Sequence, residues 1–164
     1  MTDVATDGIR RRMDGFPPSV GMARALDEAR RAGERGEVPV GAAVVAPDGR
    51  IVASAGNRTR ADRDPSAHAE MLAIRAACVA QGTERLVGHR LYVTLEPCAM
   101  CAGVISLARI ARLYYGAADL KGGAVDHGAR VFAHPTCHHA PEVFGGVGED
   151  AAAALLRAFF AARR

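Results

Sequence analysis

Apolar positions early in the chain recur at two different spacings. Across residues 20–32, Met22, Ala25, Leu26 and Ala29 return at helical intervals opposite Arg24, Asp27, Glu28 and Arg31, which predicts an amphipathic helix stopped near Gly33 and Gly36. Residues 38–46 then form a β-branched and alanine run, Pro47-Asp48-Gly49 breaks it, and residues 51–56 resume it, so a hairpin is expected. After a loop at 57–63, Asp64-Pro65-Ser66 offers capping side chains and a proline suited to a first helical position. The helix that follows should reach about Ala80, burying Met71, Ile74 and Cys78, with Gly82 near its end. Residues 91–95 read as a third strand, Pro97 opens a helix through Ala108, and residues 112–115 give a fourth strand ending at Gly116. Residues 117–141 are rich in Gly and His around a short apolar patch, Val131-Phe132, and read as a functional loop with a short helix. Residues 142–145 suggest a fifth short strand. A last helix from about Glu149 places Leu155, Ala158, Phe159 and Ala162 on one face. Helices alternating with strands after an initial hairpin predict an α/β fold, a mixed sheet covered on both faces.

The length of 164 residues suits one well-buried core, and no apolar run approaches the ~20 residues that cross a bilayer. Residues 1–18 carry acids and the Arg10-Arg11-Arg12 cluster, lack either periodicity, and end in Phe16-Pro17-Pro18. They read as a mobile leader ahead of a single domain at 19–164. Lacking the apolar segment of a secretory signal, the chain is expected in the cytoplasm, with no membrane partner. A net charge of +3 permits a polyanionic partner without requiring one.

Four cysteines are present, and in a reducing compartment a Cys-x-x-Cys beside an available His binds metal more often than it forms a disulfide. That pair is Cys98 and Cys101, within TLEPCAMCAG at 94–103, and the upstream triplet His68-Ala69-Glu70 supplies an imidazole and a carboxylate. Cys78 and Cys137 have no partner implied by sequence and read as incidental thiols. His68, Cys98 and Cys101 make three zinc ligands, which leaves a fourth position for water, the mark of a catalytic site. Glu70 then serves as the proton-shuttling base, provided that the metal sits near the N-terminal end of its helix. Residues two apart on a helix point ~200° from each other. The competing reading is a closed structural zinc completed by Cys78 or His138, which leaves Glu70 without a task.

His-x-Glu followed by Pro-Cys-x-x-Cys is the zinc deaminase signature. With HAE at 68–70 and PCAMC at 97–101, the chain resembles the cytidine deaminase superfamily and, within it, the bacterial tRNA-specific adenosine deaminases. Residues 37–41, 56–58 and 64–67, the run 91–97, Tyr115-Gly116-Ala117 with Asp119 and Lys121, and Phe159-Phe160 before Arg163-Arg164 carry the likeness beyond the metal motif. The resemblance implies a three-layer α/β/α sandwich with a five-stranded mixed sheet, a homodimer, one zinc per subunit, and hydrolytic conversion of the wobble adenosine of a tRNA anticodon stem-loop to inosine. Metal-activated hydroxide would attack C6 while Glu70 moves the protons. The resemblance also implies that Asn57 contacts the flipped base, that Asp119 lies near the ribose, and that Phe159 or Phe160 stacks on a nucleotide, with Phe160 the expected substrate-binding residue. By sequence alone Asn57 and Asp119 read first as turn residues. Lys121, Arg163 and Arg164 suit phosphates, or are simply exposed charge. The cluster His134, Cys137, His138 and His139 matches a substrate-facing loop rather than a second metal site. Two alternatives keep the zinc site and change the function: a deaminase of free guanine, cytosine or a nucleoside, and a non-catalytic zinc module that binds RNA.

Overall fold

The computed structural model describes residues 20–164; the leader expected at 1–18 lies outside the described residues. Helix α1 (Val20–Glu34) is followed by strands β1 (Gly41–Val45) and β2 (Ile51–Gly56), helix α2 (Ala69–Gln81), strand β3 (Arg90–Leu95), helix α3 (Ala99–Leu107) and strand β4 (Arg112–Ala117). A 3-10 turn (Val131–Ala133), strand β5 (Glu142–Phe144) and helix α4 (Glu149–Ala161) complete the chain. The strands form one sheet in the order β2-β1-β3-β4-β5. β1 is antiparallel to both β2 and β3, whereas β3, β4 and β5 run parallel. The sheet is therefore mixed, as expected. No helix among the described residues is long and apolar enough to cross a membrane.

Two apolar clusters lie on opposite faces of the sheet. One gathers Ala73, Ile74 and Ala77 of α2 and Ala102 and Ile105 of α3 over Val44, Leu91, Val93 and Leu113. The other gathers Met22, Ala25 and Leu26 of α1 and Ala152 of α4 over Tyr92, Tyr114 and Phe144. On that second face the three aromatic rings stack along neighbouring strands at 4.6 and 4.8 Å, matching the ~4.7–4.9 Å spacing of strands. The in-register pairs Tyr92 with Tyr114 and Tyr114 with Phe144 hold the parallel half of the sheet together.

Glycine sets how closely α1 approaches. A Cβ at Gly41 would overlap the Ala25 carbonyl and come within 2.9 Å of the Glu28 Cβ, and one at Gly56 would lie 2.6 Å from the Glu28 carbonyl. The helix backbone thus rests directly on β1 and β2, and its alanines fit the narrow gap. Several local expectations shift. The first strand begins at Gly41 rather than Val38, because Val40 N–H is spent on the Val38 carbonyl, 2.8 Å away. Met71 and Cys78 are only half-buried, since Ala69, Ala73, Ile74 and Ala77 form the inward face of α2. On α4 the inward residues are Ala152, Leu155, Leu156 and Phe159, and Ala158 and Ala162 face solvent.

Candidate metal centre and active site

Two helix N-termini converge on the site. α2 does not begin at Asp64 as its sequence suggests: Asp64 accepts from the Ser66 N–H (2.8 Å) and hydroxyl (2.7 Å) in a local turn. The helix starts five residues later, with His68 as its extended N-cap residue (φ −74°, ψ 151°). The side chain that caps it comes from elsewhere in the chain: Asn57 Oδ1 accepts the Ala69 N–H at 2.8 Å. The late start removes the angular problem of a His-x-Glu pair, because His68 precedes the helical spiral and Glu70 lies in its first turn. α3 repeats the arrangement, with Cys98 as an extended N-cap (φ −72°, ψ 174°) and Cys101 in the first turn.

His68 Nδ1 lies 3.6 Å from the sulfur of Cys98 and 3.6 Å from that of Cys101. All three ligand atoms fall within 4.8 Å of one another, and among the described residues this is the group arranged to hold a metal. Zinc bonds of ~2.3 Å to sulfur and ~2.0 Å to nitrogen at tetrahedral angles require N to S separations of about 3.5 Å. Both N to S separations fit the ion. Neither proposed fourth ligand joins them. Cys78 sits about 14 Å further along the axis of α2 at 1.5 Å per residue, and His138 is exposed on a loop outside the group.

The protonation states follow from this crowding. The hydrogen bond from Cys101, then that from His68, lowers the Cys98 thiol to about 4, and Cys101 is raised because it keeps the proton the two sulfurs share and is buried. His68 is raised by its hydrogen bond to the Cys98 thiolate. Free amides at a helix N-terminus also favour thiolate. Glu70 is 4% exposed, and burial pushes its carboxyl up to about 7, with the Cys98 charge adding to the effect. A buried carboxyl group beside the three ligand atoms can exchange a proton with a group bound between them.

Of the other expected residues, Asn57 is brought to the site through its bond to the start of α2. Asp119 is half-buried, and its Oδ1 accepts the N–H groups of Lys121 (3.1 Å) and Gly122 (2.9 Å) in a tight turn. Phe159 is half-buried beneath the Arg163 guanidinium, 3.4 Å from its ring centroid, while Phe160 meets it edge-on and is 49% exposed. The His-rich segment is tied to the end of α3: Ser106 donates to the His139 carbonyl (2.6 Å), and His139 Nε2 pairs with the Ile110 carbonyl (2.6 Å).

Sequence reasoning missed two buried carboxylates that hold the loops around the site. Glu96 Oε1 accepts the N–H groups of Val125 (3.3 Å), Asp126 (2.9 Å) and His127 (3.0 Å), and Oε2 accepts those of Asp119 (3.0 Å) and the His127 ring (2.8 Å). Burial alone would raise its carboxyl, but these donors outweigh it and hold it below the ordinary value. Glu37 does the same for the loop at 57–63, accepting from Ala61 N–H (2.8 Å), Arg60 N–H (3.1 Å) and the Thr59 hydroxyl (3.3 Å). The available signal was an acid directly adjoining an apolar strand run, where a solvated side chain is not expected.

Residues 18–117 match the cytidine and deoxycytidylate deaminase zinc-binding region. A tRNA-specific adenosine deaminase of Agrobacterium fabrum is 61% identical over 143 residues, which cover 87% of this chain and 93% of the relative. A solved structure from work on A-to-I editing by tRNA:A34 deaminases at the wobble position of transfer RNA superposes with a TM-score of 0.81 at 61% identity, over 82% of this chain and 97% of the other. A guanine deaminase from Nitrosomonas europaea superposes with a TM-score of 0.75 at 25% identity, over 88% of this chain and 85% of the other. The match across the metal site, together with near full-length identity, means that the chain belongs to the cytidine and deoxycytidylate deaminase zinc-binding family, among its tRNA-specific adenosine deaminases.

Proposed function

We propose that the protein converts the wobble adenosine of a tRNA anticodon to inosine by hydrolytic deamination, acting through a domain at 19–164 with one zinc per subunit. The observation that carries this reading is the 61% identity to a tRNA-specific adenosine deaminase, extending over 93% of that relative. The same deaminase fold also serves a guanine deaminase at 25% identity, so fold alone does not choose the substrate.

His68, Cys98 and Cys101 would hold the ion. Once bound, zinc would supply a Lewis acid for activating water. Glu70 would take one proton from the attacking water at its carboxylate and deliver it to the purine ring nitrogen, then carry the second proton of that water to the departing amine. A C6–O bond forms, the C6–N bond breaks, and ammonia leaves. Asn57 spends Oδ1 on the Ala69 N–H, which turns its amide NH2 outward as a donor for the flipped base. Asp119 and Phe160 would meet the ribose and a stacked nucleotide at the rim, in the manner of single-stranded RNA readers. Helix α3 has no charged residue and exposes Met100 and Leu107 beside half-buried Gly103 and Val104, a surface suited to a homodimer contact. The reaction belongs to the cytoplasm, where tRNA is used.

Purified zinc-loaded protein is incubated with an anticodon stem-loop bearing adenosine at the wobble position, with the same stem-loop carrying guanosine there, and with free adenosine, guanine and cytosine. The expected result is inosine in the first RNA alone. Turnover of free guanine or cytosine without conversion of the RNA establishes the small-molecule alternative. Glu70→Gln with zinc retained should reduce turnover by ~10²–10⁴-fold; full activity in that variant excludes the assigned role.

A further inference from the structure

Five exposed arginines, Arg35, Arg58, Arg60, Arg63 and Arg163, lie at or near the end of α1, the loop at 57–63 and the end of α4. Arg58 is neutralised by Asp62 at 3.0 Å. Two of the others, Arg60 and Arg163, meet at Gly36, and Arg35 directly precedes that residue. Arg60 Nη1 donates to the Gly36 carbonyl at 3.4 Å, and Arg163 Nη2 lies 3.9 Å from the point where a Gly36 Cβ would stand. Arg35 Nη2 donates to the Asn57 carbonyl at 3.3 Å. None of Arg35, Arg60 and Arg163 forms an ion pair among the described residues. Neither nearby acid is ion-paired with them. The Glu37 carboxylate is 2% exposed and committed to the loop amides, and Glu34 is solvated on α1 without an ion pair. Neighbouring guanidinium groups with no ion-pair partner repel one another, so the arrangement is stabilised when an anion joins it.

The position of the cluster says which anion. Arg35 holds the main chain of the residue whose side chain caps α2, the helix that carries Glu70 and follows His68. Arg163 lies over Phe159, next to exposed Phe160, so cationic groups and an aromatic face share one rim. Single-stranded nucleic acids are held by this combination of stacked bases and tracked phosphates. Resting on the RNA substrate argued above, we infer that Arg35, Arg60 and Arg163 together form a phosphate-binding rim that grips the RNA backbone beside the flipped wobble nucleotide.

The test is the salt dependence of binding to an anticodon stem-loop, measured by fluorescence anisotropy between 50 and 300 mM salt (about the range where counterion release dominates). The wild type is compared with the triple variant Arg35→Gln, Arg60→Gln, Arg163→Gln, with the triple Lys variant, and with a control triple variant at Arg24, Arg50 and Arg85, exposed arginines outside the cluster. At ~0.7 counterions released per single-strand phosphate contact, loss of three contacts lowers the slope of log K against log salt by about 2 and weakens binding by about 50-fold at 0.15 M salt. The Lys triple should keep most of the slope, and the control triple should change it little. Zinc content and thermal midpoint verify that each variant is folded. If removing Arg163 from Phe159 unfolds the triple variant, Arg35→Gln with Arg60→Gln reads the same slope with an expected change of about 1.4. An unchanged slope in a folded Gln variant overturns the inference, as does an equal loss in the control, while wild-type protein still makes inosine. Failure of the wild type to make inosine overturns the substrate reading instead.

Discussion

Replacing Glu96 by Gln tests how the rim of the site is built. The carboxylate is 2% exposed and accepts from five N–H groups spread over residues 119–127. Gln keeps the size and one acceptor oxygen, which can still serve Val125, Asp126 and His127. It turns an NH2 group toward the Asp119 N–H and the His127 ring, so two charge-assisted hydrogen bonds are lost and one pair of donors faces each other. Bonds to a charged group contribute ~1.5–3 kcal/mol each, and a neutral His127 tautomer can accept from the new amide and offset part of the loss. The net cost is about 3 kcal/mol, or a fall in Tm of roughly 6–12 °C for a domain of this size. Urea unfolding of the zinc-loaded protein measures the first quantity and a thermal scan the second. Hydrogen exchange at the amides of 119–127 should accelerate more than exchange in β1 or β3, because the loop opens before the core does. Stability within about 0.5 kcal/mol of wild type, the scatter of surface substitutions, with unchanged exchange in that loop, refutes the claim that Glu96 holds it.

Asn57→Asp keeps an acceptor for the Ala69 N–H and removes the NH2 donor, whereas Asn57→Ala removes both. Stem-loop kinetics should deteriorate in each, but only the Ala variant should also lose the ~1 kcal/mol of a helix cap in urea unfolding. In chelator-treated protein, Glu70 binds a proton more tightly when folded, at about 7, than at the ordinary 4.5 of the unfolded chain. The folded state therefore holds more protons between those values, and stability falls as pH rises from 4.5 to 7 and levels off above, by about 3 kcal/mol for a shift of that size. The difference between wild type and Glu70→Gln in unfolding series across that window isolates the effect, and a flat difference refutes it. His68→Ala or Cys101→Ser should abolish stoichiometric zinc by elemental analysis, while Cys78→Ser should retain it. Gly41→Ala should lift α1 from the sheet and lower Tm by more than about 6 °C, corresponding to an overpacking cost near 3 kcal/mol.

Sequence by itself determined the elements and the metal chemistry. Met22, Ala25, Leu26 and Ala29 at helical spacing, the turn at Pro47-Asp48-Gly49, and His68, Glu70, Cys98 and Cys101 in their motifs are local patterns. Periodicity reports burial within one element, and a ligand motif reports donors that one turn of backbone can deliver. Tertiary structure alone decided what depends on partners distant in the chain. The start of α2 moved from Asp64 to Ala69 because the cap is Asn57, twelve residues earlier. Glu96 became a scaffold rather than an exposed acid because residues 119–127 fold back onto it, and Arg35, Arg60 and Arg163 became one cluster because three separate segments meet at Gly36. A hydrogen bond or a charge cluster between remote segments leaves no period in the sequence, since its spacing is set by how the helices and loops pack on the sheet.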